Sequence, residues 1–414
     1  MEAFESNHSS PASVIRDFGE DKPSAGFELA MGLGRSFPQQ LPDAEAFVVE
    51  FDGNGDPWKP CNWPSWTKYM FAMLEVRNSL IDRCRFYTSL IVCYGTFVAS
   101  FNSALLAAGT AEASEEFSVS NEVGILGTSL FVLGFAFGPL IWAPSSELIG
   151  RRWPLCVGMI GCSIFTIGSA AAKDIQTLII CRFFAGLFGA SPLCVVPAVL
   201  ADIYTDVYRG VAISIYAITV FGGPLIAPFI GGFITMSDLG WRWTLYLPAI
   251  LGFLGVFFLL IWLRETYHPI VLVEKAVIIR HQTGNWGVYA RQEKIELDFR
   301  EVASKYFTRP LRLLATEPIV LAVSFYMSFI YGIVYALLEA YPYVFGDIHG
   351  MNLGVRGLPF LGLLTGVLLA LLYILSQHGS YVKKLAANNN QPVPEWRLQP
   401  AIPGAFAFTA GLFW

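Results

Sequence analysis

Charge is what this sequence has least of: Asp, Glu, Lys and Arg make up 14% of its 414 residues, against 54% for apolar ones. A soluble domain carries roughly a quarter of its residues as charges, so a water-soluble globular protein is excluded. No basic block is present to track a phosphate backbone, which excludes nucleic acid as a partner. No GxxxxGK[ST] loop occurs, and none of the five histidines stands at ligand spacing from another, so neither ATP-driven work, a metal site nor any other cofactor is expected. The seven cysteines form no CxxC pair and mostly fall in apolar runs, where a cysteine acts as a small hydrophobe. With no nucleophile and base at workable spacing, the chain is not read as an enzyme. The N-terminus, MEAFESNHSSPASVIRDFGEDK, has no apolar core segment. No cleaved signal peptide is expected there, and insertion falls to the first membrane helix.

What the chain has in quantity is long apolar runs. A helix needs about 20 residues to cross a hydrocarbon core of roughly 30 Å, where it satisfies its own backbone. Spans are predicted at about 86–108, 122–144, 153–173, 175–203, 211–236, 243–263, 318–345 and 358–378, with a ninth beginning near 401. The fold class is therefore an all-α, multi-pass membrane protein, with the bilayer as its first partner. Residues 1–80, rich in Ser, Pro, Gly, Asp and Glu, read as a disordered tail. Within it Asp52, Asn54 and Asp56 imitate the start of a calcium loop, but Pro57 replaces the turn glycine and Trp63 the bidentate glutamate. Asn7-His-Ser9 is a glycosylation sequon that a cytosolic tail would leave unused.

Lys and Arg gather on the cytosolic side of membrane proteins. Arg77, Arg83 and Arg85 precede the first span, Arg151 and Arg152 follow the second, Arg209 follows the fourth, and Lys383, Lys384 and Arg397 follow the eighth; nine more lie in 264–317. The opposite loops hold at most one each, Lys173, Arg242 and Arg356. The expected layout is a cytosolic tail (1–80), a six-helix bundle (81–263), a cytosolic loop (264–317) and a partial second bundle (318–414) of two spans and the start of a third.

Six spans, a charged loop and further spans form the layout of transporters built from two parallel repeats. Gly134-Phe-Ala-Phe-Gly138 in span two and Gly362-Leu-Leu-Thr-Gly366 in span eight are GxxxG segments at corresponding positions of the halves. Between spans two and three stands GPLIWAPSSELIGRRWP, from Gly138 to Pro154. It resembles the helix two–three signature of the major facilitator superfamily, in the form carried by twelve-span fungal drug:proton antiporters. Span four, with Arg182-Phe-Phe-Ala-Gly186, is similar to that family's intramembrane arginine motif, and span five, Gly222-Gly-Pro224-Leu-Ile-Ala-Pro228-Phe-Ile-Gly231-Gly232, to its antiporter motif. The pre-membrane segment from Phe51 to Pro57 and on to Asn62-Trp63-Pro64, the tract Arg264-Glu-Thr-Tyr-His-Pro269 and Glu339-Ala-Tyr-Pro342 in span seven fit the same group.

The residues have physical readings of their own. Arg182 lies in an apolar helix, where an ionised side chain costs at least about 2.5–3.5 kcal/mol and so must face a cavity or a partner. The resemblance makes it a relay or gate for protons; the alternative is a structural arginine tied to backbone carbonyls. Glu339, an acid inside a span, is the candidate for taking and releasing the coupling proton, unless it sits wetted at the outer end. Asp202 reads as an interfacial acid near Arg209. In span one, Tyr94, Thr96, Ser100, Asn102 and Ser103 are polar, and the resemblance places some of them, Asn102 foremost, in the pocket lined by helices one, four, seven and ten. In span five Gly222, Gly223, Pro224, Pro228, Gly231 and Gly232 permit close packing and bend the helix, and the whole segment is expected to reject bulk. Gly138, Glu147, Gly150, Arg151 and Arg152 are implied to latch the halves on the cytosolic side, the acid engaging the N-terminal end of an eleventh helix.

The resemblance implies twelve spans, whereas the sequence stops inside the ninth, so helices ten to twelve are expected to be absent and the chain truncated. The leading function is proton-coupled efflux of small organic molecules such as drugs, toxins or secondary metabolites, with protons as coupling ion, at the plasma membrane. Transport of polyamines or another solute by the same fold, or a membrane protein that does not transport, are the alternatives.

Overall fold

In the computed structural model of the chain, residues 47–51, 58, 77–294, 304, 308–389 and 391–413 are described. The calcium-loop imitation at 52–56 and the sequon at Asn7 lie outside them. The chain divides into Met1–Val48 and Val49–Trp414, and every helix named here belongs to the second. No β-strand occurs among the described residues.

The long apolar runs become helices: α1 Arg77–Leu105, α2 Asn121–Leu148, α3 Arg152–Ala170, α4 Ile175–Ile203, α5 Asp206–Met236, α6 Trp243–Trp262, α7 Pro318–Tyr341, α8 Pro359–Ala387 and α9 Ala401–Phe413. Eight have the length and composition to cross a membrane; α9 has 13 residues. Differences from the predicted spans sit at the ends. The α-helical ladder of α1 stops at Leu105, tightens to a 3-10 turn over Leu106–Gly109 and resumes as a short helix, Thr110–Glu116. Helix α8 continues past its apolar run to Ala387, carrying Lys383 and Lys384 with it.

In the first half α4 is central, packing against α2, α3 and α1, while α1 lies against α5 and α6. Lipid offers apolar side chains as good a home as a neighbouring helix does, so close approach rests on small residues. A Cβ on Gly134 would meet the backbone of Phe183, and would stand 2.6 Å from the Leu187 nitrogen; one on Gly138 would strike Ala190; one on Gly186 would strike the Phe131 carbonyl. The second GxxxG differs: among the described residues a Cβ on Gly362 or Gly366 meets nothing within 4 Å, whereas the first segment brings helices together. At the far end of the half, Arg242 pairs with Glu116 at 2.6 Å and donates to the carbonyls of Ala170 and Ala172, tying three connections.

The second half meets the first through α8, which packs along α5. Leu338 of α7 and Phe360 of α8 share an apolar cluster with Phe101, Leu105, Leu225 and Ala227. The connection after α6 forms a helix, His268–Thr283. Within the stretch read as a disordered tail, Val49 is buried against Ala276 and Ala290 of this connection, and its N–H donates to the Tyr289 carbonyl at 3.0 Å.

Candidate functional site

Arg182 is fully buried at the centre of the first half. Its Nε donates to the Gly127 carbonyl at 3.1 Å, Nη1 to the Asn102 carbonyl and to Asn102 Oδ1, both at 3.1 Å, and Nη2 to the carbonyls of Asn102 and Ser103 at 3.1 and 3.3 Å. The Phe131 ring lies 4.3 Å from the guanidinium carbon. No carboxylate bonds it among the described residues. Every hydrogen bond it makes goes to a backbone carbonyl or to the Asn102 amide oxygen. A guanidinium has five N–H donors and no acceptor, and here those carbonyls come from α1 and α2, with the side-chain oxygen of Asn102. The cost falls on α1: its regular ladder ends directly beyond the two carbonyls that Arg182 claims.

Asn102 is oriented by both ends of its amide, Oδ1 accepting from Arg182 and Nδ2 donating to Thr166 Oγ1 at 2.7 Å. Ser103 Oγ donates to the Ser100 carbonyl at 2.6 Å and therefore accepts from the Tyr335 hydroxyl at 2.8 Å. That bond crosses from α1 to α7, so the arginine is linked through Ser103 to the second half. The Tyr331 and Tyr335 rings lie 5.2 Å apart, and Tyr331 faces Phe221 of α5 at 5.8 Å. Tyr331, Tyr335 and Glu339 recur every four residues and so share one stripe of α7. Glu339 itself is exposed, and no hydrogen bond or ion pair joins it to Arg182. The tyrosines were not singled out by the sequence; their four-residue spacing ahead of Glu339 was the available signal.

A second constellation forms where α2 turns into α3. Gly150 has φ +102°, a conformation that L side chains rarely adopt, and a Cβ there would strike the Glu265 carboxylate. Glu265, buried, accepts from the backbone N–H of Arg151 at 2.7 Å, Arg152 at 3.2 Å, Thr266 at 3.0 Å and Tyr267 at 2.9 Å. The Arg151 side chain pairs with Asp202 at 3.3 Å, donates to Ser146 Oγ at 2.7 Å and lies over the Tyr267 ring. Asp202 thus belongs to Arg151, while Arg209, its expected neighbour, pairs with Asp206. Arg152 donates to the Leu260 carbonyl at 2.8 Å. The Glu147 carbonyl accepts from Gln292 at 3.4 Å.

In α5 the motif glycines divide. A Cβ on Gly223 would stand 2.6 Å from the Phe101 nitrogen and 2.8 Å from Ser100 Cβ, and one on Gly231 would stand 2.8 Å from Ala108 Cβ, both against the first span. One on Gly232 would strike the Leu353 carbonyl ahead of α8, whereas one on Gly222 finds only Leu364, at 3.9 Å. Pro224 and Pro228 are both buried between these approaches. Among the described residues no three His, Cys, Asp or Glu side chains gather to hold a metal ion.

Residues 92–414 match the Major Facilitator Superfamily family model. The chain belongs to the major facilitator superfamily. It is 40% identical over 386 residues, 93% of its length, to the multidrug transporter FLU1 of Candida albicans. It is 40% identical over 93% of its length to the multidrug transporter TPO1_2 of Candida glabrata, and 41% identical over 88% to the efflux pump bik6 of Gibberella fujikuroi. The matched regions are 60%, 63% and 72% of those proteins, so the chain spans about two thirds of the length of these curated relatives. The proton:xylose symporter XylE, bound to 6-bromo-6-deoxy-D-glucose, superimposes with a TM-score of 0.54 at 17% identity, over 70% of this chain and 69% of XylE. At that identity the match speaks for the fold alone. The superfamily and these relatives are transporters rather than enzymes.

Within that superfamily fold, most of the residues read from the sequence fall into three separate groups, with Glu339 apart on α7, Gly138 against α4 and Glu147 beside Gln292. Arg182 and Asn102 meet directly, Gly150, Arg151 and Arg152 gather on Glu265 and Asp202, and Gly223, Gly231 and Gly232 of α5 set close helix approaches. The sequence gives no sign of a role for Glu265: its four N–H partners lie in two segments more than a hundred residues apart, and no local pattern joins them.

Proposed function

We propose that this chain is a proton-coupled exporter of small organic molecules such as drugs, toxins or secondary metabolites. The observation that carries the reading is the fully buried Arg182, whose network through Asn102 and Ser103 ends on Tyr335 of the second half. A fixed cation without a carboxylate neighbour favours negative charge on the polar groups around it, and Glu339, on the Tyr335 stripe, is the group to take and release the proton. The faces of Tyr331, Tyr335 and Phe221 offer a lipophilic cation the ring contacts it favours. The names of the fungal relatives point the same way.

The distribution of Lys and Arg supports a cytosolic N-terminus and central loop, and export of this kind clears the cell at the plasma membrane. With that orientation α1 and α7 both run outward, so the Ser103–Tyr335 bond belongs to the outer half of the membrane and must break whenever the outer face opens. The test is efflux of a fluorescent lipophilic cation from sealed vesicles under an imposed proton gradient. Gradient-dependent efflux is expected, abolished by Arg182→Ala. Efflux that survives this change sinks the arginine mechanism. Transport of a polyamine instead of the dye would replace the substrate class, and no gradient-dependent transport of either would leave a membrane protein without transport.

A further inference from the structure

A cavity of about 280 Å³ lies between the first turns of α5, the last turns of α8 and the connection that follows α8. Its apolar wall is one face of α5, with Val207 and Val211 on it, continued by Ile374 of α8. Its polar wall belongs to α8 and the connection: Tyr381, Lys384 and Arg397. No acidic side chain lines it among the described residues. The two cations have only neutral partners among the described residues. Lys384 Nζ donates to Gln399 Oε1 at 3.2 Å, and Arg397 donates to the Tyr381 hydroxyl at 3.0 Å and the Asp206 carbonyl at 3.0 Å.

Two cations brought to one cavity without a counter-charge repel each other and favour an anion between them. The cavity sits where α5 begins and α8 has left its apolar run, at the boundary of the hydrocarbon, and its wall changes from Val and Ile to Tyr, Lys and Arg across that boundary. A soluble anion has no use for the apolar face. A phosphate diester carrying acyl chains uses both walls.

We propose that this cavity binds the headgroup of an anionic phospholipid from the cytosolic leaflet, with Lys384 and Arg397 on the phosphate and the α5 face against the first methylenes of the chains. The placement rests on the cytosolic orientation given above; the chemistry of the cavity does not. Basic pockets between membrane helices on that side hold anionic headgroups in this manner.

The test uses the full chain purified in a neutral maltoside detergent and native mass spectrometry with equal concentrations of phosphatidylinositol and phosphatidylcholine. One phosphatidylinositol is expected to be retained in preference, by about fivefold or more for each cation. The double variant K384Q/R397Q is expected to lose the preference. Because Arg397 also holds the Asp206 carbonyl, K384Q alone is the second variant: it gives up only the Gln399 contact, and is expected to lower the preference at an unchanged melting temperature. Equal retention of the two lipids, or a preference that both variants keep, overturns the proposal. So does saturation of the cavity by inorganic phosphate that excludes the lipid, which would make it a site for the free anion. Lipid retention is read without transport or sidedness, so a failure of dye efflux leaves it standing, and efflux by a protein without lipid preference leaves the exporter reading standing.

Discussion

Gly150 and Glu265 form one device, and a double-mutant cycle exposes it. Glu265 accepts from four backbone N–H groups at 2.7–3.2 Å, two of them at the start of α3. Hydrogen bonds to a charged group contribute about 1.5–3 kcal/mol each when measured singly, and they are not additive within one carboxylate. The helix N-terminus contributes about 0.3–1 kcal/mol more. Removing the carboxylate by Glu265→Ala should therefore cost about 2–3 kcal/mol. Gly150→Ala carries two penalties. A Cβ at φ +102° costs about 1–3 kcal/mol in backbone strain. The same Cβ would stand 2.5 Å from the Glu265 carboxyl carbon, so the carboxylate must leave its N–H groups and most of its contribution goes with it.

The sum for Gly150→Ala is about 3–5 kcal/mol, part strain and part eviction. In a Glu265→Ala background the eviction has already happened and only the strain remains. The double variant should then be no less stable than Gly150→Ala alone, a coupling of about 2 kcal/mol against the 0.3–0.5 kcal/mol scatter of independent sites. Tryptophan fluorescence during thermal unfolding in mild detergent provides the readout. At about 2–4 °C per kcal/mol, Gly150→Ala should lower the midpoint by about 6 °C or more, Glu265→Ala by about 4 °C or more, and the pair by no more than the glycine change. Midpoint shifts that simply add would refute the shared contact.

Three further outcomes follow from other contacts. Gly223→Ala forces a Cβ onto the α1 backbone and should destabilise by about 1–3 kcal/mol, whereas Gly222→Ala, with only Leu364 at 3.9 Å, should leave the melting temperature unchanged; equal effects would show that the α1–α5 approach is misread. Tyr335→Phe removes the bond to Ser103; interhelical polar bonds in membranes contribute about 0.6–1.7 kcal/mol, so labelling of an outer-facing cysteine probe should rise about threefold or more, and an unchanged rate would count against a gate. Asp174, outside the membrane segments, accepts from the Thr177 N–H at 2.7 Å at the start of α4, which holds its carboxyl below the ordinary range. A lowered value contributes stability above the unfolded pKa and loses it as pH falls through the folded one. The melting-temperature advantage of the native protein over Asp174→Asn should accordingly be largest near neutral pH and vanish at strongly acid pH.

The spans were legible because a hydrocarbon core imposes length and composition on any helix that crosses it, and Arg182 because a lone cation in such a run has few roles. What surrounds Arg182 was legible only in part. Asn102 and Ser103 stand out as polar residues in an apolar helix, but that their carbonyls, more than their side chains, hold the guanidinium depends on where α1 abandons its regular ladder, and no residue in Leu106–Gly109 advertises a 3-10 turn. Adjacent glycines show the same limit. Gly222 and Gly223 are the same residue one position apart, yet a turn of about 100° along the helix places one beside a leucine side chain and the other against the α1 backbone.

Glu265 and Glu339 show what decides legibility for acids. Glu339 was conspicuous because it interrupts an apolar run, and the structure leaves it exposed on the stripe of two tyrosines. Glu265 was inconspicuous in a polar tract, and it is the buried one, enclosed by N–H donors from the start of α3 and from the turn that follows α6. Burial of a carboxylate follows the supply of donors rather than the hydropathy of its neighbours in the chain. Donors come in number only where backbone N–H groups converge, at a helix start beside a glycine that no side chain crowds. Gly150-Arg151-Arg152 supplies that convergence. The adjacency of Gly150 to the two arginines thus has a reason apart from the charge of either: their N–H groups must point at one carboxylate, and the glycine must leave room for it.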